Sequence, residues 1–227
     1  AKLDAAIAQQ QRMIALLNER KQIIINQAVT GKLQCTMNNE QCKMKDSGVE
    51  WIGEVPEHWE VRKLKYLMQQ VTTPSTSLNK IGLENIESGT GKFVVTDSEY
   101  EGNGIQFEKG DILYGKLRPY LKKVFVAEES GNAVGDFFVF RPNSTIDGAY
   151  MQIVLLSQTL TDVINSSTYG AKMPRVSIDF MEGLYIPCPP LYEQKAMALN
   201  INNMCKPIDD AIHNCQNQIS LLQERKQ

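Results

Sequence analysis

Length, composition and charge first limit what this chain can be. Its 227 residues, 42% of them hydrophobic, allow one or two soluble domains with a buried core. The formal net charge of −2 argues, taken alone, against a polyanion partner, so only a local basic patch would serve nucleic acid. No stretch approaches a membrane span and the Gln-rich start is not a signal peptide, so we expect a cytoplasmic protein with no membrane partner. The five scattered cysteines fit reduced thiols in that compartment.

The first predicted element is a helix with a coiled-coil pattern. Residues at alternating spacings of four and three form one seam. The seam consists of Leu3, Ile7, Gln10, Ile14, Leu17, Lys21 and Ile24. Gly31 can supply a left-handed cap, so the helix is expected to end near Thr30. We assign residues 1–33 to this helix and the polar residues 34–47 to a linker.

Residues 48–190 have the pattern of strands separated by turns. The predicted strands are FVVT, GIQF, GDILYG, KKVFVA, GDFFVFRP and GLYIPCP. One long helix is predicted over residues 150–167 from apolar residues at helical spacing. Strands combined with packed helices predict an α+β fold, a mixed globular body with long flanking helices that form a coiled-coil spacer.

The last predicted element is the helical segment 191–227. Pro190 suits the first turn of a helix, and the carboxylate of Glu193 suits the positive end of the helix dipole. Pro207 predicts a break, with one helix over residues 191–204 and a fresh start at the proline. The second part has its own seam of Ile208, Ile212, Cys215, Ile219, Leu222 and Lys226.

The two seams belong to an internal repeat. A shift of 205 positions aligns residues 3–22 with residues 208–227, and 11 of the 20 aligned pairs are identical. Two helices with matching apolar stripes can bury them against each other, and helices of about 20 residues extend about 30 Å. The alternative is that each stripe packs on the globular body. Because the chain starts without Met and lacks a second IIINQAVTGKL, we expect a fragment or truncated form of a two-unit protein.

Two basic stretches are candidates for DNA contacts. The stretch 109–123 carries five cations against Asp111 alone, with tyrosines interleaved, as expected where a surface contacts phosphates and bases. The candidates there are Lys116, Arg118, Tyr120, Lys122 and Lys123. The alternative is a solvated hairpin, in which Arg118 could be a structural ion-pair partner.

The second stretch, STYGAKMPRVS, offers Tyr169, Lys172 and Arg175 beside the permissive Gly170. Here the alternative is an ordinary turn that Arg175 braces. Lys80 and Lys92, each close to a turn glycine, are weaker candidates.

No set of residues in the sequence predicts catalysis or a bound cofactor. Of the two histidines, His58 in the PEHW turn is expected to pack or hydrogen-bond and His213 to lie on the helix surface off the seam, and no Cys or His spacing matches zinc. The segment SGTGKF lacks the upstream glycine and the Ser or Thr that a phosphate loop uses. The acidic run Asp97, Glu99 and Glu101 leaves a metal-dependent nuclease as a minor alternative. We therefore expect no enzyme, no metal and no cofactor.

Three strings in this order resemble the specificity subunit of type I restriction-modification systems. They are DSGVEWIGEVPEHWEVRKLKYL, KGDILYGKLRPYLKKVFVA and YGAKMPRVSIDFMEGLYIPCPPLYEQKAM, flanked by ERKQ helices with AVTGKL. In that family, each half of the subunit is a target recognition domain followed by a long helix, and the two helices pack as an antiparallel coiled coil that sets the separation of two DNA half-sites. This chain departs from the pattern in having one recognition domain and in Pro207 within a helix.

The resemblance implies which partners the chain has. Modification subunits dock on such a subunit and supply the S-adenosylmethionine chemistry, while the restriction subunit supplies cleavage. The expected function is recognition of a half-site in double-stranded DNA by a non-catalytic subunit. A chain with one body and a helix at each end also predicts a homodimer about a twofold axis. The alternative is a coiled-coil assembly scaffold that binds no DNA.

Overall fold

The computed structural model describes residues 2–33, 43–76, 79–98 and 100–226. Its helices are α1 (Lys2–Val29), α2 (Gly148–Leu156), α3 (Gln158–Ser166), α4 (Ile178–Gly183) and α5 (Leu191–Glu224). Its strands are β1 (Met44–Asp46), β2 (Glu54–Pro56), β3 (Glu60–Lys63), β4 (Met68–Val71), β5 (Pro74–Ser75), β6 (Lys80–Ile81), β7 (Gly104–Phe107), β8 (Ile112–Gly115), β9 (Val124–Val126), β10 (Gly131–Ala133), β11 (Phe137–Pro142) and β12 (Tyr185–Cys188). The α+β class is confirmed.

Two four-stranded sheets form the centre of the body. One is antiparallel with the order β4-β11-β8-β9, and the other has the order β5-β7-β10-β6 with one parallel pair, β10 and β6. Strands β1-β2 and β12-β3 form two antiparallel ribbons. Residues 2–33 lie outside these sheets, and α5 follows the last strand.

The antiparallel sheet separates two hydrophobic cores. Along β11, Phe138 and Phe140 face a core shared with the helices, whereas Phe137 and Val139 face a smaller core shared with the second sheet. Successive side chains of a strand point to opposite faces, so a strand between two cores is apolar at every position. This explains the uninterrupted run FFVF, which the sequence correctly identified as a strand.

Most of the predicted strands are confirmed, but FVVT is not one. β7, β8, β9, β11 and β12 lie within GIQF, GDILYG, KKVFVA, GDFFVFRP and GLYIPCP. In residues 93–96 the only ladder contact is a single bridge between Phe93 and Ile86, and Val95 is 84% exposed. The Phe93 ring packs on the core residue Phe125, with 5.8 Å between ring centroids, but Val94 and Val95 are exposed, so β propensity alone does not make the run a strand.

The predicted helix over residues 150–167 is wrong as a single element. It is divided at Ser157, whose φ of −64° and ψ of 142° are extended. The hydroxyl of Ser157 donates to the Val154 carbonyl, and its own carbonyl accepts from the amide and hydroxyl of Thr161. Ser157 therefore caps the end of α2 and the start of α3. Hydrogen bonds from a serine side chain to nearby backbone compete with a continuous helix, and the spacing of apolar residues does not reveal them.

The predicted break at Pro207 is also wrong, because α5 continues through it from Leu191 to Glu224. A proline removes the hydrogen bond to the carbonyl four residues earlier, here that of Asn203. Both residues are exposed, so water can hydrate that carbonyl, while buried Cys205 and Ile208 hold both halves of the helix in place. The predicted end of α1 is confirmed, with Gly31 at a φ of 76°.

The terminal helices α1 and α5 pack against each other in antiparallel directions. Lys21 Nζ lies 2.7 Å from Asp209 Oδ1, and Lys226 near the end of α5 bonds Asp4 near the start of α1. The alternative in which each helix lies separately on the body holds only at the body end, where Ile25 joins the core. Within the described residues, no helix has both the length and the apolar character needed to cross a bilayer.

Candidate nucleic-acid interface

The two basic stretches predicted from sequence lie side by side. The backbone amide of Arg118 donates to the Pro174 carbonyl at 2.8 Å, and that of Val176 donates to the Lys116 carbonyl at 3.1 Å. Tyr169 and Arg175 close the second loop through two 3.0 Å backbone bonds. Residues 116–122 and 168–176 therefore form one continuous surface, here called the basic loop surface.

The first loop has an unusual backbone. Arg118 and Lys122 both have a φ of 50°, and they are the two described residues other than glycine with positive φ. They flank a 3₁₀ turn over residues 119–121, in which Pro119 is buried and Tyr120 is 51% exposed. Left-handed backbone costs on the order of 1 kcal/mol or more per residue and concentrates at functional sites. The turn presents the Arg118 side chain to solvent, without an ion-pair partner among the described residues.

Two of the candidate cations are braced by one carboxylate. Arg175 Nη2 and Nε lie 2.9 and 3.3 Å from the two oxygens of Asp136, and the Lys116 ammonium lies 3.8 Å from the same group. The hydrogen bond to Asp136 raises the pKa of Arg175. Lys116 also lies over the ring of Phe138, 5.7 Å from its centroid. Arg175 is thus held by an ion pair within the protein, as expected if it braces an ordinary turn. Its contact with DNA stays a prediction.

Two other candidate lysines are held by backbone carbonyls. Lys123 Nζ donates to the carbonyls of Leu83 and Ile86 at 2.6 and 3.0 Å, which ties β9 to the turn after β6. Lys80 Nζ donates to the Tyr100 carbonyl at 2.7 Å, away from the basic loop surface on a strand of the second sheet. These ammonium groups satisfy local acceptors, so their first role is structural.

The glycine turn around Lys92 abuts the same surface. The backbone amide of Gly89 donates to the Lys122 carbonyl at 3.3 Å. The side-chain amide of Gln152 donates to the carbonyls of Gly91 and Val124, both at 3.1 Å. Gly91 has a φ of 71°, and a Cβ there would lie 2.7 Å from the backbone carbonyl oxygen of Val124, so this close approach requires glycine.

A groove of about 600 Å³ separates this turn from the helix pair. Lys92, Tyr120 and Lys122 line its body side, and Asp209 and Asp210 line its helix side. Partial burial lowers the pKa of Lys122, and the charge of Asp162 opposes that effect.

The basic loop surface exposes cations and aromatic rings to solvent. Arg118 and Lys172 are exposed and without ion pairs among the described residues, while Tyr120 and Tyr169 offer exposed rings on which bases can stack. Among the described residues there is no cluster of metal-ligating side chains, and Glu99 of the acidic run lies outside them.

The histidine of the PEHW turn has a structural partner. His58 Nε2 lies 2.8 Å from Glu193 Oε1, and Trp59 Nε1 donates to the other oxygen of that carboxylate at 2.9 Å. These bonds anchor the first turn of α5 to the body.

Asp136 and Gln152 were not singled out from the sequence, although they position the two loops and the glycine turn. Both act over long sequence separations, 39 residues from Asp136 to Arg175 and 61 from Gln152 to Gly91. A local pattern contains no signal for such partners, since only the fold brings them together. In the sequence, the glycines of SGTGK were the one sign that the backbone of this turn lies close to another segment.

The nine predicted helix-interface residues are all at least partly covered. Ile208 is buried and the other eight are partly buried, whereas most positions between them are exposed. These eight are Leu3, Ile7, Ile14, Leu17, Ile24, Ile212, Ile219 and Leu222. Their burial follows the alternation of three and four along both helices.

Two curated proteins similar to this chain are both named as specificity subunits of type I restriction enzymes. The EcoDI specificity subunit of Escherichia coli, a type I restriction enzyme subunit, is 24% identical over 90% of this chain and 50% of its own length. The MjaVIII specificity subunit of Methanocaldococcus jannaschii is 23% identical over 88% of this chain and 51% of its own. The chain thus spans about half the length of the curated relatives it matches.

Solved structures share the fold. The HsdS subunit from Thermoanaerobacter tengcongensis superposes with a TM-score of 0.54 at 12% identity, covering 99% of this chain and 56% of that one. A chain from a structure on the complex assembly and conformational transition of the type I R-M system gives 0.58 at 13% identity, covering 99% and 55%. The model of the type I restriction modification DNA specificity domain matches residues 56–221, and the chain therefore belongs to that family.

Proposed function

We propose that this chain is a non-catalytic DNA-recognition unit of a type I restriction-modification complex, reading one half-site of a double-stranded target. The observation that carries the proposal is the joining of residues 116–122 and 168–176 into one surface. Its exposed cations, Arg118 and Lys172, would contact phosphates, and its exposed tyrosines would contact bases. The bases recognised depend on loop geometry and DNA shape together.

The helix pair acts in this proposal as a spacer on which other subunits dock. Modification subunits and a restriction subunit would bind there, in the cytoplasm, with α1 and α5 supercoiled as an antiparallel coiled coil. A homodimer would combine two such chains, each with its own half-site. Sedimentation equilibrium tests the dimer, and a monomer at every concentration would exclude it.

Binding to mixed duplex DNA at two salt concentrations tests recognition. If about six phosphates are neutralised, the logarithm of affinity should fall with the logarithm of salt at a slope of about −5. The double variant Arg118→Gln/Lys172→Gln should reduce that slope by about two, because each phosphate contact contributes about 0.9. Lys45→Gln, an exposed lysine outside the surface, is the matched control.

The second candidate function is an assembly scaffold that binds no DNA. The packing of α1 on α5 favours it as much as it favours the recognition unit, since both need paired helices. Absence of duplex binding under all conditions, alone and with a modification subunit, would favour the scaffold and remove the first proposal.

A further inference from the structure

The tip of the second basic loop carries an apolar side chain that the proposed function does not use. Met173 is 44% exposed and lies between Lys172, which is exposed, and Pro174. A methionine side chain donates no hydrogen bond and its sulfur is only a weak acceptor, so it cannot read base edges as arginine or asparagine does. Any contact of Met173 with DNA is therefore apolar.

The loop that carries Met173 is closed on itself. Residues 169–175 form a hairpin, because the backbone groups of Tyr169 and Arg175 bond each other twice at 3.0 Å. Gly170 has a φ of 90°, and a Cβ there would lie 3.1 Å from the Met173 carbonyl oxygen. The two sides of the loop are thus close to each other as far as its tip.

Pro174 and Arg175 fix this loop against the rest of the body. A proline restricts the residue before it to extended backbone, so Met173 has little conformational freedom. The Pro174 carbonyl accepts the Arg118 amide at 2.8 Å, and Arg175 Nη2 lies 2.9 Å from Asp136 Oδ2. The backbone of Met173 therefore stands on a braced tip, in a defined position relative to both basic loops.

The exposed tyrosines of the same surface need a base whose flat face is open. Tyr169 is 61% exposed and Tyr120 is 51% exposed. Stacking places an aromatic ring on the flat face of a base. In an intact duplex those faces are covered by the neighbouring base pairs, and the grooves present only base edges. Stacking of these rings on bases of double-stranded DNA therefore requires a base step that has been opened.

We propose that Met173 is a wedge that enters between two base pairs of the bound duplex and opens that step for the neighbouring tyrosine rings. Proteins open base steps with apolar side chains, methionine among them, and thereby kink the duplex. Arg118 and Lys172 supply phosphate contacts next to the tip, which anchor the duplex while the step opens. The inference rests on the proposed function, because it takes the bound polymer to be duplex DNA.

A wedge adds a form of recognition that needs no hydrogen bond to a base. Opening a step costs least where the stacking is already weak, as at pyrimidine–purine steps and at mismatched bases. The loop thus contributes sensitivity to DNA deformability at the step that Met173 enters. That sensitivity is separate from the phosphate contacts, which carry no sequence information.

Binding to a duplex whose stacking is already disturbed tests the inference. The probes are a short mixed-sequence duplex and the same duplex with a central mismatch. The wild type should bind the mismatched duplex about tenfold more tightly, because the cost of opening a base step is removed in advance. Met173→Ala should bind both duplexes alike, and Met173→Leu should keep the preference, since leucine also serves as a wedge. Met13 in α1, 46% exposed, gives the matched control Met13→Ala, which should keep the full preference.

The salt dependence of binding separates a lost wedge from a disturbed loop. Met173→Ala removes no charge, so the slope of the logarithm of affinity against the logarithm of salt should keep its wild-type value. A smaller slope in this variant would show that Met173 acts by holding the cations of the loop in place, and the wedge would be wrong.

Three further results would overturn the inference. The first is equal binding of both duplexes by the wild type, and the second is a mismatch preference that survives in Met173→Ala. The third is a loss of affinity on replacement of thymine by uracil that disappears in Met173→Ala, which would assign Met173 to thymine methyl groups. A chain that binds duplex without a mismatch preference fails only this inference, whereas a chain that binds neither duplex fails the proposed recognition as well.

Discussion

The helix pair and the body differ in what determines whether a side chain is covered or exposed. Along α1 and α5, one period of three and four residues determines which side chains are covered, and partners follow from the antiparallel packing. In the body, Arg118 and Lys123 are five residues apart in one basic stretch, yet one is exposed and the other is tied to two carbonyls. Periodicity thus assigns the role of a helix residue, while a loop residue takes its role from distant contacts.

The largest expected effect separates the two regions by stability. Phe140 is fully buried between β11 and the helices, so Phe140→Ala should lower the free energy of unfolding by about 3–5 kcal/mol. Ile14 in the helix pair is only partly buried, so Ile14→Ala should lower it by about 1–2 kcal/mol. Urea unfolding followed by circular dichroism measures both. Equal losses would show that the pair is as tightly packed as the body.

A pair of glycine variants sharpens the contrast within the loops. Gly89 and Gly91 both have positive φ, but a Cβ meets nothing within 4 Å at Gly89 and lies 2.7 Å from the Val124 carbonyl oxygen at Gly91. Gly89→Ala should cost about 1 kcal/mol from backbone strain alone, and Gly91→Ala about 2–3 kcal/mol. Unfolding midpoints compare them, and identical values would mean that the turn relaxes without cost.

The two cations compared above should respond differently to loss of charge. Lys123→Met removes the ammonium donor from the carbonyls of Leu83 and Ile86, of which Leu83 keeps a 3.2 Å bond from the Ile86 amide, and should lower the free energy of unfolding by about 1–2 kcal/mol. Arg118→Gln at the exposed position should change it by less than about 0.5 kcal/mol. Thermal unfolding of the two variants decides between them. If Lys123→Met were as stable as the wild type, the hydrogen bonds of the Lys123 ammonium would not be needed for folding.

The smallest expected effect concerns the outer ion pair of the helices. The hydrogen bond from Lys226 lowers the pKa of Asp4, so the folded state favours the ionised carboxylate. The stabilisation is present above the unfolded pKa of about 4 and is lost as the pH falls through the lower folded pKa. Asp4→Asn should therefore unfold more easily than the wild type at pH 6, and the difference should shrink as the pH is lowered below about 4. Asp210→Asn is the control, and a pH-independent difference would contradict the assignment.

Much of the fold could be predicted, and the reason is physical. The seam of α1 and α5, the end of α1 at Gly31 and the apolar strand FFVF each follow from a local rule of spacing or backbone conformation. The wrong predictions occurred where a contact in the folded protein outweighed the local preference of the sequence. Ser157 divided the long helix by bonding both flanking segments, and the packing of Cys205 and Ile208 carried α5 through Pro207.

The sequence by itself determined that two like helices carry matching seams and that two basic stretches occur in the body. Tertiary structure alone decided that those loops would join through Arg118 and Pro174, that Asp136 would hold Arg175 and Lys116, and that Leu16 and Leu221 would stay exposed. The division arises because helix periodicity is set by neighbours within one turn. Loop contacts connect residues tens of positions apart, and they exist only after the sheets have brought the loops together.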